Sequence, residues 1–126
     1  MSATTIHTKW DDILLETMAE GISRRVFTGG KTMLAQIYLK KGAIVPWHSH
    51  VNEQMSWIVE GLAKFTIGEE GSPDRQEVIL SPGDVLFIPS NVPHTAEALE
   101  DSVDVDIFNP PRQDWLDGTD TYFKRG

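Results

Sequence analysis

Residues 42–61 read Gly-Ala-Ile-Val-Pro-Trp-His-Ser-His-Val-Asn-Glu-Gln-Met-Ser-Trp-Ile-Val-Glu-Gly. The parity of three side chains in this stretch decides how the chain is read. His48 and His50 stand two residues apart. In an extended segment residues i and i+2 leave the backbone on the same side, so both imidazoles reach one point in space. Gln54 lies four residues further on with the same parity, and its amide oxygen can coordinate a metal. Glu53 competes for that role but has the opposite parity. His94 follows the rigid turn Pro89-Ser90-Asn91-Val92-Pro93, which leads into another strand. A lone histidine of this kind would be read as core lining. Three at these spacings point instead to a divalent-metal site made of His48, His50, Gln54 and His94. His7, near the N-terminus, reads as a surface residue.

Outward from this stretch the chain breaks into short alternating runs, the signature of β-strands. Residues 22–27 form one such run. In residues 33–39 the odd positions are apolar, and Ala63, Phe65 and Ile67 alternate with Lys64 and Thr66. Val85 to Ile88 is apolar throughout and reads as a strand that can be buried on both faces. Val103, Val105 and Ile107 alternate with Asp104, Asp106 and Phe108. Turns fall between the runs, at Gly29-Gly30, at Lys40-Lys41-Gly42, in the hairpin loop of residues 68–74 and at Ser81-Pro82-Gly83-Asp84. Many short strands joined by regular turns imply a sandwich or barrel. Residues 10–19 have a roughly helical apolar spacing but fit an irregular lead-in strand equally well. Residues 110–116 have room for one helical turn.

Composition narrows the function. With 126 residues and no repeat or low-complexity linker, the chain is read as a single domain. Its core spans about residues 20–110, with a lead-in strand or turn over 1–19 and a tail over 110–126. The chain has no cysteine, which excludes disulfides, thiolate ligands and cysteine nucleophiles. A metal must therefore sit on imidazole, carboxylate or carbonyl oxygen, and Ni, Zn, Mn, Fe and Co all accept such ligands. Nineteen acidic and eleven basic residues give a net charge of −8, which argues against nucleic acid as a partner. No apolar run approaches the roughly 18 residues of a membrane span. The N-terminus lacks the basic and apolar regions of a secretory signal, so a cytoplasmic location is expected.

Two sequence motifs carry a family resemblance. Gly42-(x5)-His48-x-His50-(x3)-Gln54-(x6)-Gly61 resembles the first motif of the cupins. Gly83-(x5)-Pro89-x-Asn91-(x2)-His94 resembles the second. The resemblance implies an all-β cupin barrel, a double-stranded β-helix or jelly roll with little or no helix. Two positions depart from the usual pattern. Gln54 stands where the family has Glu, and Asn91 where it has Gly. Asn tolerates a left-handed backbone better than most residues, so the turn survives. Ala98 replaces a usual Asn that is not a ligand. Gln54 has the larger consequence. Three neutral imidazoles and a neutral amide leave the full +2 charge on the metal, which favours Lewis-acid chemistry.

The second informative stretch is Asp106-Ile107-Phe108-Asn109-Pro110-Pro111-Arg112-Gln113-Asp114-Trp115. Asp106 and Phe108 share one face of the last strand, which the two prolines end. Asp-x-Phe-x-Pro-x-Arg-x-Asp resembles the end of the KdgF-type cupins of pectin and alginate breakdown, and related sequences occur in a cupin of bacilysin biosynthesis. The KdgF-type resemblance implies that Asp106, Phe108 and Arg112 face the metal cavity as catalytic residues. It also implies ring opening and tautomerisation of 4,5-unsaturated monouronates to linear 4-deoxy-5-ketouronates, with a small carbohydrate acid as the partner molecule. Trp47 and Trp57 are candidates for an apolar wall, although Trp57 suits core packing equally well. Two other readings stand beside this one, a metal-dependent dioxygenase and a non-catalytic sugar- or small-molecule-binding cupin. A homodimer is expected, because cupins usually hide their edges by pairing and Val103, Val105 and Ile107 offer an apolar outward face.

Overall fold

The alternation of side chains along each run determines the architecture. The computed structural model describes residues 5–120 and 122. A short 3-10 turn at Trp10–Asp12 precedes ten strands: β1 (Glu16–Ala19), β2 (Ile22–Thr28), β3 (Met33–Leu39), β4 (Ile44–His48), β5 (Glu53–Glu60), β6 (Ala63–Ile67), β7 (Gln76–Leu80), β8 (Val85–Ile88), β9 (His94–Ala98) and β10 (Ser102–Asn109). One helical turn, α1 (Gln113–Leu116), follows. The expected lead-in strand is β1, and the helical spacing of residues 10–19 is realised only as the 3-10 turn. The expected single turn near the C-terminus is α1.

All pairings are antiparallel. Six strands run in the order β1-β2-β3-β10-β5-β8, and four in the order β4-β9-β6-β7. This is the two-sheet jelly-roll barrel expected of a cupin. In β3 every odd residue is buried: Met33, Ala35, Ile37 and Leu39. They join Ile22, Ala98 and Phe108 in one apolar cluster. Ile58, Ala63, Phe65, Leu80, Ile88 and Ala96 form a second cluster, and Val45 packs against both. Among the described residues no helix is long and apolar enough to cross a membrane.

The inner face is not wholly apolar. β5 turns Gln54, Ser56 and Ile58 inward and Met55, Trp57 and Val59 outward. β10 turns Asp104, Asp106 and Phe108 inward. Register places Asp106 opposite Ser56 and Phe108 opposite Gln54. Two expectations fail on the outer surface. The run 85–88 is buried on one face only, with Val85 75% exposed beside Phe87 at 48%. β8 is an edge strand of a barrel, and no second layer covers its outer side. The outward face of β10 is also less uniform than its sequence suggests. Val105 is buried and Val103 half-buried, so only Ile107 of the three is exposed.

Three motif glycines, Gly42, Gly61 and Gly83, have φ of 89°, 93° and 94°, a region L side chains avoid. Asn91 takes φ of 64°, so the asparagine adopts the left-handed turn in place of glycine, as anticipated. At Gly61 sterics add to the backbone demand. A Cβ there would collide with the Asp101 carbonyl oxygen and with Ser102. Gly61→Ala is therefore expected to destabilise the fold by about 1–3 kcal/mol or more, read from the midpoint of urea unfolding. Gly42→Ala meets no atom within 4 Å and should lose less.

Candidate metal centre

β4 and β9 are register partners with His48 directly opposite His94. His50 follows two residues after β4 ends, and Gln54 enters from the start of β5. The ring centroids of His48 and His94 lie 4.3 Å apart, those of His50 and His94 5.0 Å, and those of His48 and His50 5.6 Å. One donor nitrogen from each ring falls within 4.8 Å of the other two.

Local backbone geometry sets which nitrogen is free. His48 Nδ1 lies 2.7 Å from the Pro46 carbonyl oxygen, His50 Nδ1 3.0 Å from that of Asn52, and His94 Nδ1 2.9 Å from that of Val92. A carbonyl only accepts, so each Nδ1 carries the proton and each Nε2 presents a lone pair. His94 Nε2 is buried with no hydrogen-bond partner among the described residues. Gln54 Nε2 donates to Ser56 Oγ at 2.9 Å, which turns Oε1 toward His50 Nε2, 3.1 Å away. Two lone-pair atoms thus face each other across a gap that a cation would bridge. The donor set fits a divalent transition metal.

The electrostatics agree. Burial, with the neighbouring His94, lowers the pKa of His48 to about 3. Burial, with the Arg112 charge, lowers that of His50 to about 4, and burial lowers His94 as well. All three imidazoles are neutral at pH 7 and available as ligands. Glu53 is exposed on the opposite side of β5, and His7 is exposed as expected.

The residues expected around the metal fall into two groups. His48, Gln54, His94, Asp106, Phe108 and Arg112 line one cavity. Trp47 and Trp57 do not. Trp57 points outward from β5, half-exposed, because its parity is opposite to that of Gln54, Ser56 and Ile58. Trp47 lines a groove on the outside of the four-stranded sheet with Lys64 and Glu97. The apolar wall comes instead from Trp115 and Tyr122, which the sequence reading did not place there. The Tyr122 ring stacks on His48 at 4.3 Å, and Trp115 meets Phe108 edge-on at 5.1 Å.

The tail lends Arg112, Trp115 and Tyr122 to the cavity lining and is held by charge. Arg112 is 1% exposed and forms a bidentate pair with Asp114 at 2.9 and 2.8 Å. It also donates to the Tyr122 hydroxyl. Burial opposes its charge, but the Asp114 hydrogen bond and charge outweigh that and raise its pKa. Arg24 donates to Asp120 at 3.0 Å and lies over the Trp115 ring. Asn52 donates to the Pro110 and Pro111 carbonyls, where the tail begins. With the tail in place the cavity has room of about 50 Å³, enough for water-sized guests.

Deeper in the cavity Ser56 Oγ donates to Asp106 Oδ1 at 2.7 Å. A hydrogen-bonded line therefore runs from Gln54 through Ser56 to Asp106. Burial raises the pKa of Asp106, while hydrogen bonds from Asp104 and Ser56 and the charge of Arg112 hold it down. Asp104, not singled out from the sequence, is the further carboxyl of this cavity.

Comparison with known proteins agrees with this geometry. The cupin domain family Cupin_2 matches residues 35–109, and the chain belongs to that family. KdgF from Halomonas sp. is 28% identical with a TM-score of 0.79, over 90% of this chain and 100% of that one. An RmlC-like cupin from Shewanella frigidimarina is 26% identical with a TM-score of 0.79, over 91% of this chain and 99% of the other. Dimethylsulfoniopropionate lyase DddQ from Ruegeria pomeroyi is 36% identical over 64 residues, 51% of this chain. The match covers only 29% of that lyase.

The depressed histidine pKa values carry a stability signature. Between their folded values, about 3 for His48 and about 4 for His50, and the ordinary imidazole value of 6.5, the unfolded chain binds more protons than the folded one. Stability is therefore full above pH 6.5 and declines on acidification through pH 5. Thermal melts of metal-free protein should show Tm falling over this window. The fall should be shallower in a His48→Gln, His50→Gln double variant; an equally steep fall there would contradict the assignment.

Proposed function

We propose that this cupin binds a divalent metal through His48, His50, Gln54 and His94, and uses it to open and tautomerise 4,5-unsaturated monouronates into linear 4-deoxy-5-ketouronates. The observation that carries this reading is the placing of Asp106, Phe108 and Arg112 around the same cavity as His48, Gln54 and His94. The likeness to KdgF along that protein's whole length supports it.

The chemistry asks for a proton carrier, a charge partner and a polarising centre. The C1–O5 bond breaks as the anomeric hydroxyl gives up its proton, and the enolate so formed becomes a ketone when C4 takes up that proton. Asp106 moves that proton, with its carboxylate aimed by Ser56. A bound divalent metal supplies Lewis acidity to the sugar oxygens. Arg112 takes the uronate carboxylate in a fork-to-fork pair. Asp114 occupies that fork in the closed arrangement, so substrate entry exchanges one carboxylate for another. Phe108 then supplies an apolar wall.

The assembly proposed is a homodimer formed through the outer face of β8, β5 and β10. Met55, Trp57, Val85, Phe87 and Ile107 are all exposed there, an apolar patch of a kind monomers seldom leave open.

Metal-loaded protein should accelerate the loss of absorbance of the unsaturated uronate above its spontaneous rate. Asp106→Asn should lower kcat about 10²–10⁴-fold with metal content unchanged. No acceleration by the wild type would overturn the assignment, and oxygen uptake with Fe(II) would point to a dioxygenase instead. Light scattering should give twice 14.1 kDa, reverting to the monomer mass in Trp57→Asp. A monomer mass for the wild type would contradict the dimer.

A further inference from the structure

Asp104 has no role in the reaction as proposed, yet it lines the same cavity as Asp106. The two residues project from the same face of β10, two positions apart, and are 3% and 6% exposed. Burial raises the pKa of both, and each acts on the other: Asp106 raises that of Asp104 further, and Asp104 lowers that of Asp106. Two carboxyls buried side by side are costly to ionise together, which favours a single proton for the pair.

Their surroundings decide which of the two holds it. β3 offers Asp104 only Ile37 across the ladder, and β5 offers only Ile58. Asp104 Oδ1 is buried without a hydrogen-bond partner among the described residues. Asp106 sits opposite Ala35 of β3 and Ser56 of β5. It accepts the Ser56 hydroxyl proton and lies in the fields of His94 from β9 and Arg112 from the tail. These surroundings favour the negative charge on Asp106 and the proton on Asp104.

We propose that Asp104 is a positioning residue for Asp106: in its neutral form it donates a hydrogen bond to the Asp106 carboxylate, and the two side chains act as one unit carrying a single proton. Between this bond and the one from Ser56, the Asp106 carboxylate is held from two strands and keeps one orientation in the closed cavity. The arrangement also damps the basicity of Asp106. A carboxylate that already accepts two strong hydrogen bonds gives a captured proton back more readily, which suits a group that must both take a proton from the sugar and return one. The inference rests on the role given to Asp106 above, and it is tested in a way that separates the two.

The first measurement needs no substrate. Infrared spectra of protein labelled with carbon-13 aspartate at neutral pH should contain the C=O stretch of a buried protonated carboxyl. The band should vanish in Asp104→Asn and persist in Asp106→Asn. Its absence from the wild type, or its loss only in Asp106→Asn, would overturn the proposal whatever the protein's substrate. The second measurement follows uronate turnover. Asp104→Leu removes the donor at similar volume and should lower kcat about tenfold to a hundredfold, the scale of a lost hydrogen bond to a charged group, with KM and metal content unmoved. Asp104→Asn restores a donor and should recover kcat to within about threefold of wild type. Equal kcat in Asp104→Leu and wild type would overturn the positioning role. If Asp104→Leu fails to fold, Asp104→Asn and the infrared band decide. If wild type shows no uronate turnover, the functional reading fails and the band still decides the pair.

Discussion

Three short hydrogen bonds between imidazole and backbone govern the centre of this molecule. Each of His48, His50 and His94 gives its Nδ1 proton to a carbonyl two residues away in sequence. The bond is local, so it forms wherever the chain takes the right turn, and it leaves the other nitrogen bare. Burial then makes protonation of that nitrogen unfavourable. The barrel concentrates three lone pairs and an amide oxygen in one place and excludes the proton, the commonest species that would otherwise satisfy them. A cation is the remaining partner with matching chemistry.

The rest of the inner face follows from this demand. A jelly roll ordinarily fills its interior with apolar side chains, and the two apolar clusters here do so. Along β10 the pattern changes, because Asp104 and Asp106 take inward positions between β3 and β5. Burying two carboxyls is costly unless they are paired and hydrogen-bonded. Here the cost is offset by the Ser56 hydroxyl and by the charge of Arg112. Arg112 is in turn buried only because Asp114 neutralises it and the rings of Phe108, Trp115 and Tyr122 surround it. The metal donors, the acid pair and the tail are successive answers to one problem, the placing of polar groups inside a small barrel.

Much of this was legible in the sequence, for reasons that are physical. The i, i+2 spacing of His48 and His50 fixes a shared direction whatever the remainder of the fold does, and Gln54 inherits that direction. Gly-rich turns at fixed distances mark backbone angles that few residues adopt, and the left-handed Asn91 shows that the requirement is on the angle more than on the residue. The same parity rule marked Asp104 as a neighbour of Asp106 and Phe108, and that alternation was the available signal for the acid pair. What parity could not supply was the environment. Val85 to Ile88 reads as doubly buried because sequence does not say which strands lie at an edge. Trp47 and Trp57 are aromatic residues near a ligand motif, but each stands at a position of outward parity. Trp115 and Tyr122 reach the cavity through the path of the tail after α1, which no periodicity encodes.

The central claim is that three histidines and one glutamine amide form a metal site with no charged ligand. Elemental analysis of protein purified without added metal, with X-ray absorption at the edge of the metal found, tests it most directly. The account predicts about one metal per chain, a first shell of three imidazole nitrogens completed by oxygen, and loss of the metal in His94→Ala. In Gln54→Ala the metal should bind more weakly, with one oxygen ligand replaced by water. Protein that binds no divalent metal at all, or an absorption spectrum unchanged between wild type and His94→Ala, would contradict it.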